Sequence, residues 1–194
     1  MSTLYTDNIR ANNASQITVP TGQKIVGTDA GSIVAPGHVI NIQSVNFAGT
    51  QSSTSQTFTD ITDLSITMTP ASANSKFFVS CSIAVANSQH FTYMRFVRNG
   101  SVLLVNDDIG NRQTGHFNYA TTNNGSSNYV MLHVPSQVLD SPSTTSTVTY
   151  KVQMAIRTDG SGTAYINRTT RDLNNVGGYD GRGVSTLTVM EIAG

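Results

Sequence analysis

Apolar and polar residues alternate along most of this chain. Phe77, Val79, Cys81, Ile83 and Val85 make a five-step apolar face, with Phe78, Ser80, Ser82 and Ala84 between them. Val148, Tyr150, Val152, Met154 and Ile156 alternate strictly with Thr147, Thr149, Lys151, Gln153 and Ala155, and Leu64, Ile66 and Met68 repeat the pattern on a shorter scale. A period of two belongs to a strand with one face in a core. Val39 to Phe47 alternates but changes phase near Ser44, which predicts a bulge or bend there. Phe91 to Val97 reads as a strand and runs into Asn99-Gly100, a strong two-residue hairpin signal, so Ser101 to Val105 is expected to return beside it. Tyr129 to Val134 and Val184 to Ile192 complete the set. No window keeps a helical period for more than two turns. About eight strands with turn signals between them predict an all-β fold, a sandwich. Asn106 to Asn128 and Asn167 to Arg182 are expected to be long loops. The last strand is apolar on both faces, Leu187 and Val189 on one, Val184, Met190 and Ile192 on the other. Such a strand is either central in a sheet or buried between subunits.

The first 43 residues follow a different rule. Ile9, Ile17, Ile25 and Ile33 recur every eight residues, separated by turn clusters such as Pro20-Thr21-Gly22 and Asp29-Ala30-Gly31. Each unit is expected to be strand, turn, strand. One such unit cannot bury its own apolar face, so the four isoleucines predict assembly with neighbouring copies. The expected division is an N-terminal extended β-stem over residues 1–37 and a β-sandwich head over residues 38–194. A homotrimer fits best, because a cyclic oligomer buries a shared apolar seam and leaves no open edge.

Composition narrows the function. Charged residues are 11% of the 194, with Lys+Arg 11 against Asp+Glu 11, for a formal net charge of +0. That balance gives neither a basic footprint for nucleic acid nor a polybasic run for an anionic membrane. With 38% hydrophobic residues the chain also lacks the signature of disorder. Ser, Thr and Asn supply about a third of the residues instead, and these suit strands and turns. Neither a secretory leader nor an 18-residue apolar run is seen, so no membrane insertion is expected. The single Cys81, mid-strand on an apolar face, is expected to be a core residue and not a nucleophile.

Candidate chemistry is sparse. His38, His90, His116 and His133 have no metal-binding spacing, and Asp107-Asp108 lacks the spacing of a calcium loop, so neither metal nor cofactor is expected. Gly177 to Gly183 resembles a phosphate loop but is followed by a strand where a helix is required. There is no Gly-x-Ser-x-Gly elbow, and the acidic residues fall mostly in turns. The expectation is a non-enzyme; a sugar-cleaving activity, carried by a carboxylate such as Asp172 or Asp180, is the minor alternative. What remains is recognition by loops on a rigid scaffold. Arg112, His116, Tyr119, Tyr165, Arg171, Tyr179 and Arg182 are the candidate binding residues, since Arg and Tyr join apolar area to a polar handle. A sugar is the ligand class such a set suits.

Several phrases resemble those of tail-fibre-like and virion appendage proteins of marine bacteriophages. They are Ser2-Thr3-Leu4-Tyr5-Thr6-Asp7-Asn8-Ile9, Ile17-Thr18-Val19-Pro20-Thr21-Gly22, Pro36-Gly37-His38-Val39-Ile40, Phe96-Val97-Arg98-Asn99-Gly100-Ser101, Leu139-Asp140-Ser141-Pro142, Thr149-Tyr150-Lys151-Val152-Gln153 and Leu187 to Gly194. The resemblance spans nearly the whole chain in short phrases. It implies a homotrimeric structural component of the virus particle with a jelly-roll-type head, assembled in the host cytoplasm. Its partners would be its own copies, other tail or capsid proteins, and a host-surface glycan. The first expectation is a tail fibre or appendage; the alternative is a capsid decoration protein that clamps the shell.

Overall fold

A computed structural model describes residues 19–27, 33–89, 91–104, 110, 112–120, 127–158, 160–174 and 177–194. The chain divides into two units, Met1–Ile33 and Val34–Gly194. In the first, Ile9 and Ile17 lie outside the described residues. The turn expected at Pro20-Thr21-Gly22 is present: Gln23 N–H donates to the Pro20 carbonyl (3.0 Å), and Gly22 takes φ 84, which glycine adopts without strain. No strand forms among the described residues of this unit. Ile25 is 69% exposed, and Val26 and Ile33 are exposed as well.

The second unit is all β among its described residues, apart from one 3-10 turn, Ser127–Tyr129. Its strands are β1 (Val39–Phe47), β2 (Gln51–Ser53), β3 (Thr59–Met68), β4 (Lys76–Asn87), β5 (Phe91–Arg98), β6 (Ser101–Val102), β7 (Phe117–Ala120), β8 (Leu132–Asp140), β9 (Val148–Ile156), β10 (Ala164–Ile166) and β11 (Ser185–Ile192). All pairings are antiparallel. One sheet has six strands: β1-β11-β4, with β8 on the far side of β4, and with β10 and then β2 extending from β4 beside β11. The other has five: β3-β9-β5, with β6 and β7 both on the free side of β5. The long-range pairings nest: β1 with β11, β3 with β9, β4 with β8, β5 with β7. Successive pairs of this nest alternate between the sheets: β1/β11 and β4/β8 in the six-stranded one, β3/β9 and β5/β7 in the five-stranded one.

The inward faces meet in one core. Phe77, Val79, Ile83 and Val85 of β4 and Leu187 and Val189 of β11 join Leu64, Ile66, Met94, Phe96, Tyr150, Val152 and Met154 of the other sheet. The Asn99-Gly100 hairpin forms as expected, with both residues at positive φ (49 and 84). The phase change in β1 lies between Val39 and Asn41, closer to the strand start than Ser44. Tyr129 belongs to the 3-10 turn, and the strand expected from it begins at Leu132. The stretch 106–128, expected to be a loop, contains β7. His90, Asp107 and Asp108 lie outside the described residues. Cys81 is buried, and burial pushes its thiol up to about 12, so it stays protonated in the core.

A polar clasp joins the two sheets at one edge. Arg98 of β5 donates from Nη1 to both carboxylate oxygens of Asp140 on β8 (2.6 and 2.5 Å). The Tyr150 hydroxyl of β9 donates to the same carboxylate (2.8 Å). Burial, then the Asp140 carboxylate beside it, raises the Tyr150 pKa, so the phenol stays a donor.

Candidate functional site

Of the residues picked from the sequence, Arg171, Tyr179 and Arg182 come together on the loop between β10 and β11. Asn167 sets its entrance. Its residue sits at φ 62, and its buried amide donates to the carbonyls of Phe47 (2.6 Å) and Gly49 (2.7 Å) while accepting from Ser185 Oγ (2.7 Å). Asparagine tolerates this left-handed backbone better than most residues. A bridge between Arg168 and Arg182, with Gly183 N–H donating to the Asn167 carbonyl (3.1 Å), closes the loop at its base. Gly183 has no room for a side chain there, since a Cβ would lie 2.6 Å from that of Ala84.

Within the loop two carboxylates hold the cations in place. Asp180, its side chain 2% exposed, accepts from Arg171 Nη2 (2.6 Å) and Thr169 Oγ1 (2.7 Å). The Arg171 guanidinium and then Thr169 hold the Asp180 carboxyl below its ordinary range, and Asp180 raises Arg171 in return. Asp172 bridges Arg182 (2.7 Å) and Arg168 (3.5 Å), and Arg168 in turn lies over the half-buried Tyr165 ring at 4.6 Å. Arg171 also stacks on Tyr129 (3.9 Å to the ring centroid) and donates to its hydroxyl (2.7 Å). Tyr179 meets Tyr129 edge-on at 5.9 Å and is 67% exposed. The result is a two-ring aromatic platform with a fixed guanidinium beneath it, and Arg182 is held by Asp172 on the same loop. Tyr129 is missing from the sequence-derived set; its only signal was an aromatic residue following an Asn/Ser run.

The other candidates lie elsewhere. Tyr119 is 3% exposed: pairing of β7 with β5 turns its ring into the core, so it belongs to the scaffold and not to the exposed patch. Arg112 lines a separate open cavity of about 850 Å³, together with Tyr93, Asn118 and Arg157. His116 is a fastener. Its Nδ1 accepts from Phe96 N–H (3.0 Å), so Nε2 carries the proton and donates to the Leu104 carbonyl. Burial is the main cause that lowers its pKa, with Arg95 contributing and the Leu104 carbonyl opposing.

The consequence is a pH dependence of stability. Folded His116 is neutral, whereas an unfolded histidine takes up a proton near pH 6.5. Below that pH the unfolded chain binds a proton that the folded chain refuses. Stability is therefore full above about pH 6.5 and falls below it until the folded ring also titrates. Urea midpoints measured at neutral and mildly acidic pH should diverge in the native chain, and the divergence should shrink in His116→Gln. Equal divergence in both proteins would place the acid sensitivity elsewhere.

Among the described residues no three His, Cys, Asp or Glu side chains gather as a metal site. The glycine-rich run Gly177 to Gly183 carries the platform and leads into β11. Compared with protein-family models and with curated proteins, the sequence gives no match.

Proposed function

We propose that the chain is a structural protein of a bacteriophage particle: a homotrimeric tail fibre or appendage, anchored by its N-terminal segment, whose jelly-roll head contacts the host surface. Virion location and partners rest on the sequence resemblance. The jelly-roll reading is supported by the strand orders β1-β11-β4-β8 and β3-β9-β5-β7 and by their nested pairings, which are those of two Greek keys rolled together.

The observation that carries the contact function is the braced Tyr129–Tyr179–Arg171 platform on exposed loops. Exposed aromatic faces held rigidly lose little entropy on binding, and they stack on the apolar face of a sugar ring while guanidinium groups hydrogen-bond its hydroxyls. A glycan is the ligand class we assign. Asp180 does not suit hydrolysis of that glycan. A glycosidase needs one acid whose pKa is raised, and Asp180 is shifted the opposite way by its arginine.

The test is competition for host cells. Purified protein should block phage adsorption, and Tyr179→Ala should weaken the block by about tenfold or more, as for a central aromatic contact. Because the side chain is exposed, the variant should fold normally. A Tyr179→Ala protein that competes as well as the native one would remove the platform from the contact.

A decoration protein is the second reading, favoured by the exposed Ile25 and Val26, which would lie along a shell. Added to bare capsids, such a protein would raise their melting temperature; a fibre would leave it unchanged.

A further inference from the structure

The two sheets of the head have unlike outer faces. On the five-stranded sheet that face is charged and cross-linked. Lys151 bonds Asp60 (2.7 Å), Gln153 bonds Asp60 (2.8 Å) and Arg95 (2.9 Å), and Arg95 lies over the Phe58 ring. The six-stranded sheet presents something else. The register places Ile42, Met190, Phe78 and Leu139 in one row across β1, β11, β4 and β8. Val39 and Ile192 pair in the adjoining row. Ile42 is 56% exposed and Leu139 55%. The next row is Ser44, Thr188, Ser80 and Gln137, uncharged throughout.

The sheet edges differ in the same sense. An exposed edge is normally blunted by charge, proline, a bulge or shortness. Edge strand β3 carries Asp60 and Asp63 with a register shift between Asp60 and Ser65. Edge strand β8 carries Pro135. The edge strands β2, β6 and β7 have three, two and four residues. Only β1 combines nine residues with no charge and no proline, and its one irregularity lies at its start.

We propose that this face, with the open edge of β1, is the contact between copies of the chain, so that the occupant is a second copy. This rests on the trimer reading and names its surface. Charge selects the occupant. The patch has Lys76 alone as a charged neighbour in its rows, so a charged partner would meet no complement, while the uncharged faces of three copies, turned toward a common three-fold axis, match one another. Exposure agrees. Val39, Ile42 and Leu139 are each more than half exposed on this one face, and a contiguous apolar patch rimmed by polar residues marks an interaction site. The β1 edge and the Ser/Thr/Gln row adjoin it. Gly37 and His38 extend the pairing of β1 with Ala193 at the end of β11, which lengthens the edge.

The experiment is sedimentation of the full chain and of the double variant Ile42→Asp/Leu139→Asp. Both positions are exposed, so the variant should keep the native far-ultraviolet circular dichroism spectrum. The native chain is expected to sediment as three copies and the variant as one, with association weakened by about a hundredfold or more. A native trimer with an equally trimeric variant overturns this interface and leaves the trimer standing. A native monomer overturns both. Should the variant fail to fold, amide exchange on the native chain decides: the Asn41 to Val45 amides should lose protection on dilution, and protection independent of concentration would overturn the proposal.

Discussion

Replacing Asp140 by alanine is expected to lower the unfolding free energy by about 3–4 kcal/mol. The Asp140 side chain is 12% exposed and accepts from Arg98 and from the buried Tyr150 hydroxyl at once. Truncation leaves a guanidinium half-withdrawn from water and a phenol with no acceptor in the core. These two losses are of different kinds. Arg98 retains some access to solvent, so its penalty is the smaller; the phenol has no such escape. Asp140→Asn keeps one acceptor and should lose about half as much. Urea unfolding of the two variants checks the ranking, and a loss below about 1 kcal/mol for the alanine variant would mean that the clasp closes without contributing.

The second large effect is expected at Asn167→Ala, about 3–4 kcal/mol. Its amide is the donor to two backbone carbonyls, Phe47 and Gly49, at the place where β1 ends. Without it both carbonyls lose their partner, at about 1–3 kcal/mol for each one that stays buried. Alanine also lacks the short polar side chain that makes φ 62 tolerable. The same residue orients Ser185, whose Oγ accepts from Ala84 N–H, so the loop base, β4 and β11 are tied through one side chain. Asn167→Ala should therefore loosen the platform as well as the core. Thermal melting measures the first effect. Loss of host-cell competition at a temperature where the variant is folded measures the second. A variant that melts within 2 °C of the native chain, by roughly the scale on which 1 kcal/mol moves a domain of this size, would refute the assignment.

Strands with strict alternation and a buried face were legible before any coordinates. In β4 and β9 every second side chain reaches the core, and no other arrangement hides five apolar residues at that spacing. The three-residue strands β2 and β10 were not legible, because a period of two cannot be read from three residues. The strand expected over 129–134 runs on to Asp140, and its second half was hidden because Pro135 interrupts the pattern; as an edge position Pro135 needs no donor toward solvent. The site divides along similar lines. Arg171, Tyr179 and Arg182 were found because a long loop concentrated them. Tyr119 was misassigned because its inward turn depends on pairing with β5, a long-range fact. Tyr129 was missed for the complementary reason, since its contact with Arg171 spans 42 positions of sequence. Asp172 and Asp180 read from the sequence as carboxylates for cutting a sugar; their pairing with arginines gives them a bracing role instead.

The proposed place of this chain in a phage particle is open to direct imaging. Gold-labelled antibody against the head, applied to particles purified from the host in which the chain is made, is expected to mark the tips of tail fibres or appendages. Unlabelled particles, with the chain recovered only from the cell lysate, would overturn the proposal.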